Sequence, residues 1–114
     1  MKETKTTNSK PLSINDLANI IYDTATGCYG IVGICDKDIG SKKATSLEKE
    51  KAKKGIVIDG SYDKGFSISI YVILSSEVKI SESISQCQKS VRYVVNKKTG
   101  LNNIKVNVYA MAII

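Results

Sequence analysis

The sequence predicts an α+β fold, a two-layer sandwich with two helices packed on one face of a mixed sheet of about four strands. Three observations predict it. Residues 14–25 and 84–95 carry apolar side chains at the helical period. Residues 66–74 and 104–110 alternate at the period of a half-buried strand. The elements run helix, strand, charged loop, strand, strand, helix, strand, and this set buries its apolar faces most simply as two layers.

At 114 residues the chain is expected to form one domain, large enough to bury a core without metal or disulfide support. Residues 1–11 read as a flexible polar leader closed by Pro11, and residues 12–114 as a single domain with a basic loop at 37–54. The first helix opens at Ser13, a good N-cap with Asp16 three residues later, and carries Ile14, Leu17, Ala18, Ile21 and Ala25 on one face. Gly27 stands where a left-handed residue would end it. Gly30 to Cys35 reads as a short strand. The stretch from Lys37 to Lys54 then holds seven lysines against Asp38, Glu48 and Glu50, a large part of the chain's net charge of +6. Ser46 can cap a short helix through Lys54, with only Leu47 and Ala52 to bury, or the stretch can stay a mobile loop; both readings stay open.

Gly55 to Asp59 begins a hairpin whose turn lies near Tyr62-Asp63-Lys64-Gly65. On its return strand Phe66, Ile68, Ile70, Val72 and Leu74 share one face, and Ser67, Ser69 and Tyr71 the other. Ser81 is expected to cap a second helix over 81–98, with Ile84, Cys87, Val91, Val94 and Val95 as its apolar stripe. Lys89, Arg92, Lys97 and Lys98 lie outside that stripe, and Gly100 supplies the stop. The last strand, near 103–111, alternates Ile104, Val106, Val108 and Ala110 with Lys105, Asn107 and Tyr109.

Several chemistries are excluded. The chain has no His, which removes the commonest general base and every Ser-His or Cys-His nucleophile pair. Cys28, Cys35 and Cys87 are odd in number, and the spacing of Cys28 and Cys35 matches no usual zinc pattern. They read as buried thiols. Neither G-x-G-x-x-G nor a Walker pattern is present. The sequence therefore nominates no catalytic residue, no cofactor and no metal ligand. The polar N-terminus has no apolar export region, and the longest apolar run, Ile68 to Leu74, is too short to span a bilayer. A soluble cytoplasmic protein is expected.

Four stretches carry a family resemblance covering nearly everything from Leu12 to Met111. Gly27-Cys28-Tyr29-Gly30-Ile31-Val32-Gly33 is similar to a Val-Pro-Gly-Val-x-Gly turn. Lys54-Gly55-Ile56-Val57-Ile58 resembles Lys-Gly-Val-x-Val, and Val78-Lys79-Ile80-Ser81-Glu82 stands in the place of Val-x-Ile-Pro-Glu. Thr99-Gly100-Leu101, followed by Val106-Asn107-Val108, closely follows Thr-Gly-Leu and Val-Asn-Val. In this order they resemble the alkaline shock protein 23 family, the Firmicute envelope-stress domain. Tyr29 and Ser81 depart from it where the family has prolines. The resemblance implies a non-enzymatic protein-interaction or scaffold module linked to envelope homeostasis. It also implies another protein as partner, one that in some members anchors the chain at the cytoplasmic side of the membrane, and homo-oligomers are compatible with it.

The residues nominated for partner contact are Lys42, Lys43, Lys49, Lys51, Lys53 and Lys54. Interleaved Glu48 and Glu50 weaken their field, so a solvated loop is the plainer reading. The alternative is a small basic nucleic-acid-binding protein using the Lys42–Lys54 loop and the 56–75 hairpin. Lys64-Gly65-Phe66-Ser67-Ile68-Ser69-Ile70-Tyr71 partly matches an RNA-recognition signature. Strand parity disfavours that use, because Phe66 and Ile68 belong to the row expected to face the core. Gly27-Cys28-Tyr29-Gly30 spells the GXXG of KH domains, but here it leads from a helix into a strand, so two turn glycines are the better reading. Tyr22, Tyr71, Tyr93 and Tyr109 offer aromatic surface without any sign in the sequence that they meet.

Overall fold

Ser13 accepts a hydrogen bond from the Asp16 backbone N–H at 3.1 Å, which satisfies one of the free donors opening helix α1 (Ile14–Thr26). In the computed structural model, which describes residues 12–38 and 45–114, six further elements follow. They are β1 (Ile31–Ile34), a 3-10 helix (Lys49–Lys54), β2 (Ile56–Ser61), β3 (Gly65–Leu74), α2 (Ile80–Thr99) and β4 (Ile104–Ile113). The expected leader at 1–11, with Pro11, lies outside the described residues.

All four strands meet in one sheet with β3 at its centre. On one side β4 runs parallel to β3, from Phe66 opposite Ile104 to Leu74 opposite Ile113. Parallel neighbours need a long crossover, and α2 supplies it. On the other side β2 pairs antiparallel with the first half of β3, and β1 pairs antiparallel with the second half. Tyr71 is the handover point: its N–H donates to the Gly55 carbonyl and its carbonyl accepts from the Cys35 N–H, both at 2.9 Å. β1 and β2 thus form one composite edge, laid end to end.

Both helices pack on the same face of the sheet and on each other, α1 over β1 and β2 and α2 over β4. The row Phe66, Ile68, Ile70, Val72 and Leu74 is buried beneath them with Leu17, Ile21, Cys87, Val91 and Val95. This is the expected two-layer α+β arrangement. Burial of Phe66 and Ile68 takes the RNA-recognition residues out of reach of any strand on the open face. That face carries Ser67, Ser69 and Tyr71, and the Tyr71 and Tyr109 rings stack across β3 and β4 with centroids 5.0 Å apart. Ile73 lies on the polar row yet is buried, between Gly33 of β1 and Ala112 of β4.

Three local expectations shift. Gly27 ends α1 in a right-handed conformation (φ −85°), and the left-handed residue is Gly30 (φ 86°). The chain tightens first, with Cys28 N–H bonding Ala25 O and Ile31 N–H bonding Cys28 O, and only then reverses. Gly30 is required for space as well, since a β-carbon there would overlap the Ser83 hydroxyl on α2. Ser81 does not cap α2. The helix starts at Ile80 with Lys79 at the N-cap, where no side chain accepts from the first turn because an ammonium has no lone pair to offer. Between Ser46 and Lys54 the chain forms a 3-10 helix preceded by Glu48, and Ser46 is not its cap.

Candidate functional site

The basic segment leaves and rejoins the sheet at nearly one point, because β1 ends where β2 begins. Lys37 N–H bonds the Lys54 carbonyl at 2.8 Å, and Leu47 N–H bonds the Ile34 carbonyl at 2.7 Å. The Tyr22 hydroxyl on α1 donates to the Leu47 carbonyl at 2.9 Å and ties the returning strand to the helix layer. These bonds seat the 3-10 helix beside α1.

Its three-residue period sorts the side chains into rows. Lys49 and Ala52 form the inward row: Ala52 is buried and the Lys49 ammonium sits 2.7 Å from Asp23 on α1. Glu50 and Lys53 form the second row and, with Lys49, Asn15 and Asn19, line a polar cleft of about 330 Å³ between the two helices. Lys51 and Lys54 form the third row, exposed and without an ion pair among the described residues. Of the six nominated lysines, Lys49, Lys51, Lys53 and Lys54 thus stand on one short helix. Lys42 and Lys43 lie outside the described residues. Ammonium and amide donors around the cleft suit a carboxylate or another oxyanion, and Glu50 limits how much negative charge it takes.

The thiols are placed for packing rather than reaction. Cys35 and Cys87 are buried, Cys28 is half-buried, and no disulfide joins them. Burial, then the neighbouring Asp36 carboxylate, pushes the Cys35 thiol up. Burial pushes the Cys87 thiol up to about 12, helped by the adjacent Cys28 sulfur, which accepts its hydrogen bond. Cys28 in turn donates to the Thr24 carbonyl at 3.3 Å. Thiols held protonated in this way are poor nucleophiles at neutral pH. Among the described residues no group of three or more His, Cys, Asp or Glu is placed to hold a metal ion. No helix among them is long and apolar enough to cross a membrane.

A second polar cleft, of about 310 Å³, lies on the outer side of α2 and is lined by Lys89, Arg92, Tyr93, Asn96 and Asn102. The sequence shows these basic residues only as lying off the apolar stripe. The signal for this surface in the sequence is the absence of any Asp or Glu after Glu82.

The protein Spy1614 of Streptococcus pyogenes serotype M6, named as uncharacterized, is 35% identical over 103 residues, covering 90% of this chain and 84% of its own. YloU of Bacillus subtilis strain 168, likewise named as uncharacterized, is 33% identical over 98 residues, covering 85% and 81%. No solved structure matches the chain significantly. The family model described as "Asp23 family, cell envelope-related function" matches residues 3–114. With that match spanning the four turn and strand motifs and both clefts, the chain belongs to the alkaline shock protein 23 family, a non-catalytic, cell-envelope-related stress-response family.

Proposed function

We propose that the chain is a protein-interaction module that scaffolds or regulates a partner at the cytoplasmic side of the cell envelope. The observation that carries this reading is the 3-10 helix. Lys51, Lys53 and Lys54 are exposed there without ion pairs among the described residues, beside a polar cleft, and the helix buries only Ala52 for the fold. The family's envelope-related function supports the location. In this reading residues 12–114 act as one domain, 1–11 are a polar leader, and Lys42 and Lys43 extend the contact surface. Membrane association runs through the partner, which accords with the lack of a spanning helix among the described residues.

The nucleic-acid alternative loses its aromatic contact, since Phe66 and Ile68 are buried, and retains only the lysines. The test is affinity purification of the full chain from native cells, with membrane and soluble fractions kept apart. A triple variant, Lys51→Glu with Lys53→Glu and Lys54→Glu, serves as comparison. A protein partner retained by the native chain and lost by the variant is expected. Recovery of nucleic acid as the only nuclease-sensitive companion would overturn the reading.

A further inference from the structure

From Ser83 to Ile114 the chain has five basic residues and no acid, against a net charge of +6 for the whole. Four of the five, Lys89, Arg92, Lys97 and Lys98, are on α2. Positions 89, 92, 93 and 96 follow the i, i+3, i+4, i+7 spacing of one helical stripe. Cys87, Val91 and Val95 are buried on the opposite side, so Lys89, Arg92 and Tyr93 are exposed on the outer face, with half-buried Asn96 at its edge. A merely solvated helix face usually interleaves acids with its bases at such spacings. Here the one acid of the helix, Glu82, lies two turns upstream of Lys89 and faces Lys79 at 3.9 Å.

The stripe is also shaped. Asn96 donates to the Leu101 carbonyl at 2.7 Å and to Asn102 Oδ1 at 3.0 Å, fixing the loop that forms one wall of the cleft. Tyr93 is 63% exposed, a large aromatic surface at the centre of a charged face, and the Lys97 ammonium lies 5.6 Å from its ring centroid. Arg92 offers a planar fork matched to a carboxylate. Tyrosine and arginine are both among the residue types enriched at the energetic centre of protein interfaces.

We propose that this outer face of α2 docks an acidic segment of a protein partner. Arg92 and Lys89 take its carboxylates, and Tyr93 packs against an apolar side chain between them. Lys89 to Lys98 spans about 14 Å at the α-helical rise, the length of roughly four extended residues. Its four cations, Lys89, Arg92, Lys97 and Lys98, neutralise at most four phosphates, fewer than the roughly 6–10 contacts of a nucleic-acid binder. Lys97 covers one face of the Tyr93 ring, leaving the other for the partner's apolar side chain. The proposal rests on the interaction function above but assigns a different surface.

The experiment uses the full chain and a short fluorescent peptide of alternating Glu and Leu, with oligouridine as comparator. Peptide binding should weaken by about tenfold or more in Lys89→Glu with Arg92→Glu, and in Tyr93→Ala. Arg92→Lys should recover only part of it, and Lys105→Glu, exposed on β4, should leave it unchanged. All substitutions are at exposed positions, and melting curves confirm folding. Equal binding by native and α2 variants, or tighter binding of oligouridine than of peptide, overturns the proposal. In cells, benzoylphenylalanine in place of Tyr93 should photo-crosslink to a stretch rich in Asp and Glu. Crosslinks to protein only from position 51 or 53 overturn this proposal while leaving the interaction function standing. No protein crosslink from any of these positions ends both.

Discussion

Gly55 gives up its side chain to the carbonyl oxygen of Cys35: a β-carbon built on Gly55 would overlap that oxygen, at the point where β1 ends and β2 begins. The backbone of Gly55 has φ −127°, which any residue adopts, so the requirement is for space alone. The composite edge and the placement of the basic 3-10 helix both depend on this contact.

Gly55→Ala should therefore force the two strand ends apart and cost about 1–3 kcal/mol, the usual range for overpacking against an unyielding neighbour. Urea unfolding measures it. An unchanged midpoint would mean that the strand ends do not abut.

Gly100 makes the opposite case. Its φ is 76°, yet a β-carbon there would meet nothing within 4 Å. Gly100→Ala should cost about 1 kcal/mol through backbone conformation, and Gly100→Asn less, because Asn tolerates the left-handed region. Ser13→Ala should cost about as much through loss of the α1 cap. Thermal melts of the three variants check the order.

Much of this architecture is legible in the sequence because it follows from side-chain periodicity. The row Phe66 to Leu74 is long enough to fix its own parity, and Ser13 with Asp16 fixes the start of α1. The sharing of one edge by β1 and β2 is not legible, since four residues from Ile31 to Ile34 cannot specify which half of β3 they join. Placing the left-handed residue at Gly30 rather than Gly27 depends on the Cys28–Ala25 and Ile31–Cys28 backbone bonds, which leave no mark in composition. The start of α2 at Ile80 overrides the capping preference of Ser81, for which the structure gives no side-chain reason. For the candidate surfaces, the lysine run marked the 3-10 helix, but its rows appear only once its period is known. The cationic stripe of α2 was present as an acid-free stretch, and it becomes a surface only when Cys87, Val91 and Val95 are seen to face inward.

Alkaline pH should weaken the fold through Cys87. Its thiol is pushed from 9.0 up to about 12 by burial and by Cys28. Above 9.0 the unfolded chain loses this proton while the folded chain keeps it, so the unfolded state binds fewer protons and stability falls as pH rises. The contribution is complete below 9.0 and is lost progressively on the way to about 12. Denaturation curves from neutral pH to about pH 10 should show a steeper decline for the native chain than for Cys87→Ala. Parallel declines would contradict the assignment.

The Lys49–Asp23 pair, at 2.7 Å but with both side chains well accessible to solvent, should matter little for stability. Lys49→Ala is expected to change unfolding free energy by less than about 1 kcal/mol. Chemical denaturation settles this, and a larger loss would make Lys49 a structural residue rather than a contact residue.

On the proposed function the chain reaches the envelope through a protein and not through lipid. Flotation of the purified full chain tests it most directly, with liposomes containing anionic lipid set against native membranes and against native membranes treated with protease. The chain should float with native membranes, cease to do so after protease, and bind liposomes at most in a salt-sensitive way through the exposed lysines. Strong, salt-resistant flotation with bare liposomes would contradict it.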